Sequence, residues 1–145
     1  GNVRDNLSLW DSSLAEADMI RAARDARIHE VIASRPGSYD AEVAEGGLNF
    51  WGGDRQRLEL APTLATDPAL LVLDEATSAL DPVTELEVLG AIRRRGLTCI
   101  IIAHRLSAIR DCDQIVVLDR GRVVERGTHR SLMGSGGAYA ELISA

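Results

Sequence analysis

Three short, unbroken apolar runs constrain this chain more than anything else in it. They are Leu70-Leu71-Val72-Leu73, Cys99-Ile100-Ile101-Ile102 and Ile115-Val116-Val117-Leu118. Each is strand length and lacks polar alternation, so each predicts a strand that wants cover on both faces. Helical patterns separate the runs, and that alternation is the mark of a parallel sheet packed between helices. Between the first two runs Asp81 is placed to cap a helix with Pro82 at its first position, running to about Arg95. A short helix from about Leu106 to Arg110 leads to the third run. Asp119-Arg120-Gly121-Arg122 then predicts a turn into a further strand at Val123-Val124. The tail from Thr128 to Ala145 reads as two short helices broken by Gly134-Ser135-Gly136-Gly137. The fold class expected is α/β.

The first third is helical in pattern. Ser13 and Glu16 have capping-box spacing ahead of Leu14, Ala17, Ala22 and Ile28, and a second short helix is expected over His29 to Ala33. Arg35-Pro36-Gly37 breaks it. A glycine-rich stretch runs from Glu45-Gly46-Gly47 to Gly52-Gly53, and a helix from Asp54 to about Ala65 follows. No internal repeat is visible.

Composition closes several classes. With 46% hydrophobic and 26% charged residues the chain is ordinary globular material, and with 3% aromatics its core must be Leu, Ile, Val and Ala. The net charge of −6 leaves no basic footprint for nucleic acid. Cys99 and Cys112 make neither a disulfide framework nor a zinc cluster, and two reduced thiols are expected. No apolar run approaches the roughly 20 residues that span a bilayer. The chain opens on Gly1-Asn2-Val3 with no signal peptide and no initiator Met, so a fragment of a longer protein is expected. All 16 basic residues are Arg, and there is no Lys.

The chemistry concentrates where the first run ends, at Asp74-Glu75. Ligands of open α/β sheets bind at the C-terminal ends of strands. Asp74 there suits Mg2+, which takes oxygen ligands and keeps several waters. Glu75 could orient or deprotonate an attacking water. Alternatively both carboxylates only cap the following turn. Ala76-Thr77-Ser78-Ala79-Leu80-Asp81 and His104, at the end of the next run, weigh for the first reading, since an imidazole there can donate to a terminal phosphate. Upstream, Phe50-Trp51-Gly52-Gly53-Asp54-Arg55-Gln56-Arg57-Leu58 sets paired glycines at a helix start, where backbone N–H groups and the helix dipole favour an anion. The alternative is a plain glycine turn before a basic helix face.

Taken in order, these pieces resemble the ATP-binding cassette ATPases. Asn49 to Leu60 looks like the signature motif and its helix, and Leu70 to Glu75 like Walker B with its catalytic glutamate. Ser78-Ala79-Leu80-Asp81 looks like the D-loop and His104 like the switch histidine. Val3-Arg4-Asp5-Asn6-Leu7 and the helices after it resemble the helical subdomain, and Arg122 to Thr128 with His129 resembles an exporter ending. The resemblance implies a P-loop NTPase-like parallel sheet with helices on both faces plus part of a helical subdomain. Residues 1–60 or so would be that subdomain and the signature, and 61–145 the C-terminal part of the catalytic core. It implies ATP and Mg2+, the metal on Asp74, and catalytic roles for Glu75 and His104 on ATP held by their own subunit. Trp51, Gly52, Gly53, Asp54, Ser78 and Asp81 would be nucleotide-contacting positions, with Gly52 and Gly53 facing ATP bound by a second ATPase subunit in a head-to-tail dimer. The helices between Leu14 and Ala33 would lie near the transmembrane domain of an exporter, at the cytoplasmic face of a bacterial plasma membrane. Asp5 to Asp11 and Arg110-Asp111-Cys112-Asp113 look most like exporters of peptides or bacteriocins.

Four departures qualify the resemblance. The family's phosphate-binding loop requires a Lys that this chain lacks. The chain alone is therefore expected neither to bind ATP tightly nor to hydrolyse it. Trp51 stands where the family has Ser, with no hydroxyl and a ring expected to crowd the phosphate. Asp54 stands where it has Gln, adding negative charge near an anion. Pro62 replaces Arg inside the signature helix, at a cost of about 3 kcal/mol in a regular helix, and predicts a kink or a shortened helix. These changes raise an alternative, a degenerate non-catalytic module that dimerises on nucleotide or serves regulation. A DNA-repair or chromosome-maintenance ATPase of the same superfamily fits less well. No coiled-coil insertion is present, and the chain is acidic.

Overall fold

The computed structural model describes residues 1–145, which form two compact units, 1–102 and 103–145. The first unit holds α1 (Val3–Ser8), α2 (Glu16–Asp25), α3 (His29–Ala33), α4 (Gly52–Ala65), β1 (Leu70–Asp74), α5 (Pro82–Arg94) and β2 (Thr98–Ile102). The second holds α6 (Leu106–Ile109), β3 (Ile115–Asp119), β4 (Arg122–Gly127), α7 (His129–Ser135) and α8 (Ala138–Ser144).

Local chemistry explains where the first helices start. Asn2 accepts from the Asp5 amide at 2.8 Å while its own amide donates to the Asp5 carboxylate at 3.4 Å, a reciprocal cap on α1. The capping box expected at Ser13 and Glu16 does not form. Asp11 takes both the Ser13 amide (2.8 Å) and hydroxyl (2.6 Å), and α2 starts after Ala15 with no side-chain cap. An acidic residue two positions upstream outcompeted the helix for the serine. Glu16 and Asp18 instead place negative charge on the first turn of α2.

Helix α2 packs against α4, and both bury small residues, Ala22 and Ala23 on one and Ala61 and Ala65 on the other. Arg95, just past α5, ties three helix ends together. Its guanidinium donates to the Asp25 carboxylate at 2.6 Å and to the Leu64 carbonyl at 2.8 Å, and it pairs with Asp67 at 3.4 Å. The Leu64 carbonyl lies in the last turn of α4 and also accepts from the Asp67 amide at 3.2 Å. Helix α4 runs without interruption through buried Pro62 to Ala65, so the expected shortening is not observed. Pro62 removes the amide that would bond the Leu58 carbonyl, yet the helix continues for three more residues.

Strands β1 and β2 pair in parallel with Leu71 opposite Cys99 and Asp74 opposite Ile102. Leu71 and Leu73 are buried, whereas Leu70, Val72, Ile100 and Ile102 are each about half exposed. The apolar runs ask for cover on two faces; in this chain the cover is one-sided. The third run does not pair with these strands. It forms an antiparallel hairpin with β4. The two-residue link Arg120-Gly121 has φ of 47° and 76°, the positive values of the tight turns that match strand twist. The second unit buries Ile115, Leu132 and Tyr139 with Leu106, Ile109, Cys112, Val117 and Ile143 against them. Glu125 on β4 accepts from the Tyr139 amide at 2.6 Å, capping α8. A Cβ at Gly137 would lie 2.1 Å from that carboxylate, so a larger residue there would push the Glu125 side chain off this cap. No helix is long and apolar enough to cross a membrane.

Candidate nucleotide site

The segment from Asp74 to Asp81 leaves β1 through a sequence of braced turns. Asp74 is the last residue of the strand and is exposed. The Glu75 amide continues the ladder, donating to the Ile102 carbonyl at 2.8 Å, but Glu75 itself adopts φ of 49°. A left-handed conformation at a non-glycine residue costs roughly 1–3 kcal/mol and persists only where its surroundings impose it. The surroundings here are specific. The Ser78 amide donates to the Glu75 carbonyl at 3.1 Å, and the Leu80 amide to the Thr77 carbonyl at 3.0 Å. Thr77 and Glu85 are both buried, and the Thr77 hydroxyl donates to Glu85 at 2.7 Å, fastening the turn to α5. Asp81 caps α5, as expected, accepting from the amides of Val83 (3.1 Å) and Thr84 (3.0 Å) and from the Thr84 hydroxyl (2.5 Å). The Thr84 hydroxyl, then the Thr84 amide, hold the Asp81 carboxyl below its ordinary range.

The start of α4 lies against this segment. Gly53 approaches so closely that a Cβ there would sit 3.3 Å from the Ala79 carbonyl oxygen. Three residues on, the Gln56 side chain donates to the Glu75 carbonyl (3.1 Å) and to Ser78 Oγ (3.2 Å), and accepts from the Ala79 amide (2.9 Å). The sequence places Gln56 in the first turns of this helix and assigns it no role. The available signal was one uncharged amide between Arg55 and Arg57, three residues after a glycine that must pack closely.

Other predicted positions divide. Trp51 is the N-cap residue of α4, makes no side-chain cap and is 84% exposed. Its neighbour Phe50 is buried beneath the Arg35 guanidinium, 3.7 Å from the ring centre, a cation–π contact. Asn49 anchors the approach, donating to the Glu42 carbonyl at 2.8 Å and accepting from the Ala44 amide at 3.0 Å. A Cβ at Gly52 would meet nothing within 4 Å, so its backbone is open to a ligand. Asp54 departs from expectation. Its carboxylate pairs with the Arg57 guanidinium, both side chains being 17% exposed, so it does not present an unbalanced negative charge. Arg57 also donates to the Arg27 carbonyl. His104 is exposed and stands in the second unit, two residues beyond the end of β2.

The donor set decides what this site can hold. No group of three or more His, Cys, Asp or Glu residues is placed to cage a metal. An exposed carboxylate at a strand end fits Mg2+ of the kind that keeps its waters and arrives with phosphates, bound through one or two carboxylates. The exposed Asp74 carboxylate and the open Gly52 backbone are compatible with such a complex, in which Asp74 would hold the metal.

No family model matches the chain. Curated relatives do. The chain is 45% identical over 139 residues to ABC transporter B family member 24, mitochondrial, of Arabidopsis thaliana, covering 94% of the chain and 20% of that protein. It is 43% identical over 142 residues to an ATP-dependent lipid A-core flippase of Syntrophus aciditrophicus, covering 97% of the chain and 24% of the flippase. Among solved structures, that of a bacterial Atm1-family ABC exporter with ATP bound superposes with a TM-score of 0.92 at 42% identity, over 99% of this chain and 25% of that one. The chain thus spans a quarter or less of the length of these proteins. Over nearly all of its own length it is a homologue of the ATP-binding cassette exporters and corresponds to the C-terminal portion of their ATPase region.

Proposed function

We propose that this chain is the part of an ATPase subunit that carries the signature, Walker B, the D-loop and the switch histidine, and that the subunit couples ATP binding and hydrolysis to export across a membrane. The observation that carries this reading is the braced turn that fixes Glu75 at the end of β1 and against the glycine start of α4. In it, Glu75 orients and deprotonates the attacking water, and Asp74 holds Mg2+, which would supply charge neutralisation at the phosphates. His104 donates a hydrogen bond to the terminal phosphate. The amides of Gly52 and Gly53 face ATP held by a second ATPase subunit. The helices between Leu14 and Ala33 face the transmembrane domain. The phosphate-clamping Lys must come from elsewhere in the subunit, since this chain has none. Asp5 to Asp11 and Arg110 to Asp113 favour a peptide as cargo.

The test is phosphate release by the full-length subunit in lipid, with its partner domains present. Glu75→Gln should lower turnover by about 10²–10⁴-fold while ATP is still bound. The 145-residue chain alone should release phosphate no faster than background. Unchanged turnover in the Glu75→Gln subunit contradicts the reading. A second reading, a module that dimerises on nucleotide without turnover, is favoured by one feature, the exposed indole of Trp51 where phosphate would approach. ATP binding with no hydrolysis by the unaltered full-length subunit selects it.

A further inference from the structure

The Gln56 amide bonds α4 to both halves of the Glu75 turn. Its orientation is fixed by chemistry: the Glu75 carbonyl can only accept and the Ala79 amide can only donate, so nitrogen must face the first and oxygen the second. The second contact of the nitrogen, Ser78 Oγ, bridges the residues between. Gln56 lies four positions after Gly52 and three after Gly53, on the helix face that these glycines share. One amide therefore links the open glycine end of α4 to the backbone of a residue held in left-handed conformation.

We propose that Gln56 is a positioning residue for hydrolysis. It holds the Glu75 carbonyl, and with it the direction in which the Glu75 carboxylate leaves the strand, in register with the glycine start of α4. A shift of that helix end when a ligand engages Gly52 is transmitted through this amide to Glu75. The inference rests on the catalytic reading of Glu75, and the following experiment separates the two.

Four single variants of the full-length subunit are compared: Gln56→Ala, Gln56→Glu, Glu75→Gln, and Glu59→Gln as a control on the exposed side of α4, where Glu59 pairs with Arg55 at 3.1 Å. Steady-state ATPase gives kcat and KM, and hydrogen exchange is followed in peptides spanning Asp74 to Asp81. Gln56→Ala should lower kcat by about 10- to 100-fold through misplacement of Glu75. Its KM for ATP should move by no more than about twofold, and exchange at the turn should quicken. Gln56→Glu retains an acceptor for the Ala79 amide but sets a carboxylate against the Glu75 carbonyl, so kcat should fall while the Ala79 amide stays protected. Glu59→Gln should match the unaltered subunit. If Gln56→Ala fails to fold, Gln56→Glu decides alone. Loss of turnover in Glu75→Gln together with an unchanged kcat in Gln56→Glu overturns the positioning role. Retained turnover in Glu75→Gln instead overturns the catalytic reading on which it rests, and the proposal falls with it.

Discussion

The turn from Asp74 to Asp81 and the helix start from Asn49 to Asp54 touch each other, yet they are built on opposite plans. In the turn, polar groups are spent inward. Thr77 bonds Glu85, Asp81 bonds Thr84, and Gln56 reaches across to Glu75, Ser78 and Ala79. At the helix start the anchoring stops at Asn49 and Phe50, and the next two residues face outward, Trp51 as an exposed indole and Gly52 as open backbone. A segment braced by several hydrogen bonds is suited to holding a reacting group at fixed geometry. A segment anchored on one side and open on the other is suited to meeting a second molecule. The two departures in the signature diverge in the same way. Asp54 is absorbed by Arg57, whereas Trp51 has nothing to absorb it.

That contrast can be broken by experiment. After Glu75→Gln, the largest effect belongs to the open side. Replacing Trp51→Ser in the full-length subunit restores a hydroxyl beside the glycines and should raise turnover by about 10- to 100-fold, one phosphate donor being worth up to 10²–10³. Asp54→Gln added to it should contribute little more, because the Asp54 charge is already paired with Arg57. Steady-state phosphate release measures both. A gain that comes mainly from Asp54→Gln would mean that the pair opens when nucleotide binds.

Within the bracing itself, away from Glu75, the expected effect is on stability. Thr77→Val keeps the shape of the side chain and removes the donor to buried Glu85, and should cost about 1–3 kcal/mol in urea unfolding. The smallest effect is a pH dependence. The Asp81 carboxyl lies below its ordinary value of 3.8 in the folded chain, held there by the Thr84 hydroxyl and amide. A depressed carboxyl contributes stability that is complete above its unfolded value and is lost as pH falls through its folded value. Thermal unfolding of the chain should therefore show a loss below about pH 4 that Asp81→Asn lacks. Parallel pH profiles for the two chains would remove Asp81 from the account.

Much of this was legible in the sequence because the signals were local. Asp81-Pro82 specifies its own helix start, and Arg120-Gly121 its own hairpin, whatever surrounds them. The Walker B-like run and the D-loop-like residues mark the candidate site through their resemblance to a family, in their order along the chain. What escaped depended on partners distant in the chain. The third apolar run looks like a parallel strand, but a two-residue turn delivers β4 to it first. Ser13 looks like a cap until Asp11 competes for it. Gln56 carries only a faint local signal, one uncharged amide between two arginines, since its partners lie 19 to 23 positions away. The pairing of Asp54 with Arg57 has the spacing of three that puts two residues on one helix face, so it is legible in the sequence.

The most direct test of the central claim uses linked dimers of the full-length subunit. The claim is that the braced turn works on its own subunit's ATP while the open helix start serves the partner's. Two changes suffice, Glu75→Gln on the braced side and Gly52→Asp on the open side, where a Cβ meets nothing within 4 Å and the fold should tolerate it. Placed in different subunits, both defects fall in one composite site and leave the other intact, so about half of the ATPase rate should survive. Placed in the same subunit, they spoil both sites and should abolish it. Equal rates from the two arrangements, or the reverse order, would contradict the account.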